Sequence, residues 1–244
     1  MMVRGSASSV RLTVLGNTRR YLAPRSAGSG YLLETGGKRV LLDCGGGIAD
    51  SLENVPLDAI VISHFHHDHV LDLLRLRDSL PDGMPIVVPP GERSRFADFG
   101  RAFSFRGPFE LPGPIVEATP GEHLVAGVRM RFVATLHSAP SFATRIGSLV
   151  YASDSAPCNG LRELAVGCDT LLVHTLLASV DPSSGHAERH MTAQSAGELA
   201  RAARPKRLML SHRYHASKDD EMLCAAGFSG TELAEDRGSY AIPS

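Results

Sequence analysis

The chain has 244 residues, 43% of them hydrophobic, which is enough to bury one substantial core. Its 25 lysines and arginines nearly balance 26 aspartates and glutamates, and with a pI near 6.8 there is no global basic field of the kind that draws nucleic acid from a distance. Residues 1–9 lack the apolar run of a signal peptide, and no segment is apolar for long enough to span a bilayer. The expectation is a cytoplasmic protein with a flexible tail over 1–9 and a single domain over 10–244. Cys44, Cys158, Cys168 and Cys224 form no C-x-x-C pair and read as reduced core thiols.

Residues 10–15 alternate like a half-buried strand that ends at Gly16-Asn17-Thr18, and a loop through Pro24 and Gly28 follows. Residues 31–34 and 39–43 read as two strands joined at Gly36-Gly37. The run Cys44-Gly45-Gly46-Gly47 lacks the lysine and the serine or threonine of a phosphate-binding P-loop. It reads instead as tight backbone packing, with Asp43 as an acceptor that orients a histidine ligand.

Residues 57–62 predict a buried strand, and 70–76 carry apolar residues at helical spacing. Between them His64-Phe65-His66-His67-Asp68-His69 packs four imidazoles and a carboxylate into six positions on a strand-to-helix loop. Alternate side chains of an extended segment point the same way, so His64 and His66 can reach one metal. Asp68 and His69, after the chain turns, can reach a second, and His67 points elsewhere. Expression tags lie at termini, and this cluster is internal. Imidazole nitrogen and carboxylate oxygen suit zinc at about 2.0–2.2 Å, with iron and manganese open.

Residues 84–88 predict a strand, and Pro90-Gly91-Glu92 the start of a helix whose Arg93, Arg95 and Arg101 read as a solvated face. Strands are expected at 110–111, 115–117 and 128–134, the last running into His137. Residues 147–152 predict a strand tipped by Asp154, and 208–211 one tipped by His212. Residues 170–173 form a strand ending at His174, and a helix over 192–200 is capped by Thr192. His137, Asp154 and His212 are thus delivered at strand ends, where site residues of layered α/β folds lie. His186 and His190 share the polar loop before the Thr192 helix. The anchored His190 is expected to be the catalytic one, and His186 to be dispensable.

With these residues assembled, the chain resembles the metallo-β-lactamase-fold hydrolases, whose H-x-H-x-D-H loop is matched by His64, His66, Asp68 and His69. Leu41-Leu42-Asp43-Cys44-Gly45 resembles the family's early aspartate strand, His137 its third histidine, Asp154 its metal-bridging aspartate and His212 its final histidine. Within the superfamily it is most similar to small bacterial ribonuclease-Z-like and phosphodiesterase-like members, through Leu136-His137-Ser138, Ala152-Ser153-Asp154-Ser155 and His190-Met191-Thr192. The resemblance implies a four-layer αββα sandwich with two divalent ions at one edge. His64, His66 and His137 would hold one ion, Asp68, His69 and His212 the other, with Asp154 between them. Such a pair lowers the pKa of a bridging water and steadies the attacking and leaving oxygens of a displacement.

Two departures bear on substrate. Asp154 follows His137 by only 17 positions (154 − 137), too few for the tRNA-gripping arm of ribonuclease Z. The family's glutamate near the end of the strand closing with Val173, paired with the histidine matched by His190, is replaced here by His174. The expected activity is therefore phosphodiester hydrolysis of a cyclic or short nucleotide, with Asp68 and His190 as catalytic residues. Hydrolysis of a lactone, carboxylic ester or organophosphate is the alternative; Tyr214 could serve it as an oxyanion donor, but a structural tyrosine is the preferred reading of that residue. A third reading is a non-catalytic, metal-stabilised binding module. The expected partner is a small ester or phosphoester, with no membrane, and a homodimer follows from the resemblance alone.

Overall fold

A computed structural model describes residues 10–18, 27–102, 110–179, 188–212 and 218–243. Alternation in β1 (Val10–Gly16) buries Leu12 and Val14 while Arg11 faces out. This strand pairs antiparallel with β2 (Gly30–Thr35), which turns at Gly36-Gly37 into β3 (Lys38–Leu42). Both glycines take positive φ, which a side chain would oppose. From β3 onward the pairing is parallel, through β4 (Ala59–Val61), β5 (Ile86–Val88) and β6 (Ile115–Glu117). These short strands are apolar without alternation in β4 and β5, because both faces are covered.

The second sheet starts as a meander of β7 (Gly121–Val125), β8 (Val128–Ala134), β9 (Phe142–Ile146) and β10 (Leu149–Tyr151). It continues in parallel through β11 (Thr170–His174), β12 (Arg207–Ser211) and β13 (Thr231–Leu233). The last described strand, β14 (Ser239–Ile242), returns to pair with β1, so among the described residues each sheet has seven strands.

Leu12, Tyr31, Leu33 and Leu42 of the first sheet meet Met130, Phe132, Phe142, Tyr151 and Leu172 of the second in one buried layer. Each fully buried side chain of this size contributes about 1.5–3 kcal/mol. The outer face of the first sheet is covered by α1 (His67–Val70), α2 (Leu73–Leu76) and Phe96 of α3 (Arg95–Ala102). That of the second is covered by α4 (Asn159–Ala165), α5 (Ala193–Ala203) and α6 (Asp219–Ala226). The result is the expected αββα sandwich. Among the described residues no helix is long and apolar enough to cross a membrane.

Local expectations are corrected in five places. The helix over 70–76 is two single turns, because the buried Asp72 between them accepts from the Ala49 amide at 2.8 Å. The strand at 57–62 is shorter, covering β4 alone. No strand forms at 110–111, since the following Pro112-Gly113-Pro114 removes ladder donors. The helix expected from Pro90 begins at Arg95, after Gly91 turns at φ +83. Cys224 lies exposed on α6, so it is not a core thiol.

Candidate metal centre

In both sheets the C-terminal ends of the parallel strands open on the same edge, and the polar residues of the interior collect there. Asp43 follows β3, Ser63 and His64 follow β4, Asp154 lies just beyond β10, His174 ends β11 and His212 follows β12. Three residues here adopt left-handed backbone: Asp43 (φ +58), Ser153 (φ +54) and His212 (φ +57). Such conformations cost of order 1–3 kcal/mol each and persist where the surroundings over-determine them. In each case the turn comes within two residues of a strand end.

The glycine run lies beneath the histidine loop. Cys44 N donates to His69 O at 2.7 Å, and Ser29 N donates to Asp68 O at 2.9 Å. A Cβ on Gly45 would lie 2.1 Å from that Asp68 oxygen, so only glycine allows the approach.

His64 Nε2 lies 3.0 Å and His137 Nε2 3.1 Å from His66 Nδ1. Asp154 Oδ2 stands 3.9 Å from both His64 Nε2 and His137 Nε2. His137 donates its one ring hydrogen, from Nδ1, to the Arg189 carbonyl at 2.9 Å, which leaves a lone pair on Nε2 facing the cluster. Burial pushes His64 well below the ordinary imidazole value, and burial with the neighbouring His137 pushes His66 down to about 4. Both are therefore neutral at pH 7, the ligating form.

A second set comprises His69, Asp154, His174 and His212, and in each set the ligating atoms lie within 4.8 Å of one another. Asp154 belongs to both. Asp68 Oδ2 adds a further oxygen, 3.3 Å from His212 Nε2 and 4.0 Å from His69 Nε2. The Nε2 atoms of His69 and His212 are fully buried and have no hydrogen-bond partner among the described residues. Two such orphaned imidazole nitrogens, facing two carboxylates, are costly unless a cation sits among them. The donor set thus fits divalent metal.

The remaining ring nitrogens are held from behind. His69 Nδ1 donates to Asp43 Oδ2 at 2.7 Å, and His212 Nδ1 lies 2.8 Å from Ser29 Oγ. Asp43 also accepts from Ser63 N (2.7 Å), Ser63 Oγ (2.8 Å) and Tyr151 OH (2.5 Å). Burial opposes charge on His69, but Asp43 beside it outweighs burial and lifts the imidazole to about 9. Burial likewise works against Asp68 and Asp154. The neighbouring imidazoles outweigh it, His212 first at both carboxyls, joined by His69 at Asp68 and by the His174 hydrogen bond at Asp154, so both lie well below the usual range.

The structure therefore brings His64, His66, Asp68, His69, His137, Asp154 and His212 to one centre, with Asp43 behind His69. His190 reaches it too: its Nδ1 is 3.7 Å from Asp154 Oδ2, its side chain is 12% exposed, and its ring packs edge-on against His137. His67 is 71% exposed and points out. Pro24, His186 and Tyr214 lie outside the described residues.

Sequence reasoning left three neighbours without a role. His174 donates from Nδ1 to Asp154 Oδ1 at 2.9 Å, with Tyr31 OH (2.9 Å) and Tyr151 OH (3.3 Å) at its Nε2. Its place at a strand tip, like that of His137 and Asp154, was the available signal. The two tyrosines sit at inward strand positions, which one sequence does not distinguish from core.

The geometry agrees with relationships found by comparison. Probable metallo-hydrolase YhfI of Bacillus subtilis is 28% identical over 232 residues, covering 87% of this chain and 91% of its own. The crystal structure of that metallo-β-lactamase fold protein superposes with a TM-score of 0.82 at 25% identity, covering 96% of this chain and 99% of the other. Ribonuclease Z of Mycolicibacterium paratuberculosis is 31% identical over 201 residues, covering 69% of this chain and 70% of its own. A diphosphatase from the PhnP family shares the fold, with a TM-score of 0.78 at 21% identity over 96% of this chain and 97% of the other. Residues 38–213 match the family described as the Beta-lactamase superfamily domain, and the chain is a metallo-hydrolase belonging to that superfamily.

Proposed function

We propose that the chain is a two-metal hydrolase of phosphodiesters, with zinc as the metal and a cyclic or short nucleotide as the substrate class. The observation that carries this reading is the pair of donor sets sharing Asp154, with His190 beside the shared carboxylate. The ribonuclease Z and the diphosphatase among its relatives add support for phosphorus chemistry, because both names describe cleavage of phosphoester or phosphoanhydride bonds.

When bound, a pair of ions supplies Lewis-acid charge to the attacking and leaving oxygens and makes water acidic enough to ionise near neutrality. The chain's own side chains divide the remaining work. Asp68, an ionised carboxylate, accepts hydrogen bonds and orients the attacking water. As the new P–O bond forms and the old one breaks, His190 gives a proton to the leaving alkoxide, a step worth about 10²–10⁴-fold when the donor is positioned. The gap from His137 to Asp154 leaves no length for an RNA-gripping arm, which favours a small substrate.

The test is a parallel assay of zinc-loaded and manganese-loaded protein on cyclic nucleotides, a nitrophenyl phosphodiester, a phosphotriester and a lactone panel. Turnover of the phosphodiesters well above the others supports the reading. Turnover of lactones or triesters with phosphodiesters untouched overturns it in favour of an ester hydrolase. Metal-loaded protein inert on every substrate points to a binding module.

A further inference from the structure

We infer that His174 is a positioning residue that fixes the orientation of Asp154 by a directed chain of hydrogen bonds, rather than a metal ligand. The inference rests on the two-ion reading of the site. Its starting point is a contrast between neighbours. Among the described residues the buried Nε2 atoms of His69 and His212 have no hydrogen-bond partner, whereas both ring nitrogens of His174 are engaged.

The hydrogen positions follow from what each group can donate. An ionised carboxylate only accepts, so at 2.9 Å from Asp154 Oδ1 the hydrogen belongs to His174 Nδ1. In a neutral imidazole, Nε2 is then the acceptor. Tyr151 has a single hydroxyl hydrogen, and it goes to Asp43 Oδ2 at 2.5 Å. Tyr31 therefore supplies the donor to His174 Nε2, and its own oxygen accepts from Ser211 Oγ, 2.5 Å away. The chain runs one way: Ser211 to Tyr31, Tyr31 to His174, His174 to Asp154.

This chain crosses the sandwich. Tyr31 stands on β2 of one sheet, and Ser211 and His174 end β12 and β11 of the other. All are buried, and the His174 ring lies stacked on His212, 4.6 Å between centroids and 13° between planes. The plane of His174 is thereby fixed as well as its tautomer. With Oδ1 tied down, Asp154 must present Oδ2 toward His64, His69, His137 and His190, which surround it at 3.7–3.9 Å. Oδ2 thus faces histidines of both donor sets, and free rotation of the carboxylate would lose that placement. Outer partners of this kind typically set 10–100-fold of metal affinity.

The test compares His174→Ala, His174→Asn and Tyr31→Phe with wild type. Zinc affinity is read by competition with a chromophoric chelator, and the ligand field by the visible spectrum of the cobalt-loaded proteins. The alanine variant is expected to bind one ion about 10–100-fold more weakly while keeping the wild-type cobalt bands. Asparagine, whose amide hydrogen replaces that of Nδ1, should recover most of the loss. Tyr31→Phe, which keeps the ring but removes the donor to Nε2, should weaken binding by a smaller factor. Wild-type affinity in either His174→Ala or Tyr31→Phe overturns the inference. Altered cobalt bands in both His174 variants overturn it too, because that is the signature of a lost ligand. If wild type itself holds a single ion, the two-ion reading fails, and the order of the Ala and Asn affinities still decides the role of His174.

Discussion

Replacing Asp43 by asparagine separates orientation of a ligand from ligation itself. Asp43 is fully buried and accepts four hydrogen bonds, two of them from Ser63 and one each from His69 and Tyr151. Asparagine tolerates the left-handed backbone at this position (φ +58) as well as aspartate does, so little strain is added. One oxygen, however, becomes an NH2 group. If that group faces His69, Tyr151 and the Ser63 hydroxyl, donor meets donor, and His69 relieves the clash by moving its hydrogen to Nε2, where it blocks the metal-facing lone pair. If the amide flips, the NH2 instead opposes the Ser63 backbone N–H, 2.7 Å from Oδ1 in the native arrangement. In the first arrangement the metal-facing tautomer of His69 loses its support; in the second it keeps only a neutral, weaker acceptor, and the clash falls on a backbone N–H that cannot move its hydrogen. The expected cost is about 10–100-fold in affinity for one ion, or about 1.4–2.7 kcal/mol. Chelator competition on the purified variant measures it directly, with circular dichroism as the check that the fold survives. Affinity within about threefold of wild type would refute the role given to Asp43.

The same pair has a pH signature. His69 titrates near 9 in the metal-free fold against about 6.5 unfolded, so its pairing with Asp43 stabilises the apoprotein fully below pH 6.5 and fades as pH rises through 9. Because ligating His69 must be neutral, metal binding at pH 7.5 should release its proton, and the total release should fall by about one proton per chain as pH rises through 9. Calorimetry in two buffers of different ionisation enthalpy reads the number, and no release at pH 7.5 would contradict the assignment. For His190→Ala, a phosphodiester with a poor leaving group should lose about 10²–10⁴-fold in turnover, and a nitrophenyl ester, which needs no proton, far less. Equal losses would make His190 a binding or structural residue. Gly45→Ala should destabilise the fold by about 1–3 kcal/mol, since its Cβ would lie 2.1 Å from Asp68 O, and an unchanged thermal midpoint would show that the loop yields.

Much of this architecture was legible because each chemical residue follows an apolar strand. β4, β8, β10 and β12 announce themselves by burial pattern, and the residues just beyond them are His64, His137, Asp154 and His212. The Thr192 cap was legible for the same local reason, and Thr192 Oγ1 accepts from Ser195 N at 3.1 Å. What escaped was non-local. The three residues of β13 are all half-buried, and β14 owes its pairing to β1, more than two hundred residues away, so neither carries a local signal. β9, beginning right after Pro140-Ser141, is fixed by its pairing with β8 and β10 rather than by its own pattern. The hydrogen-bond chain from Ser211 to Asp154 joins three strands and the loop after β10, and no window of sequence contains it.

The central claim is that two ions share Asp154, and counting them tests it most directly. Wild-type protein saturated with zinc and freed of excess by gel filtration should carry two ions per chain by elemental analysis. Asp154→Ala, with a ligand removed from both sets, should retain fewer than two under the same conditions while remaining folded. A wild type that holds at most one ion, or an Asp154→Ala variant that holds two with undiminished affinity, would contradict the account.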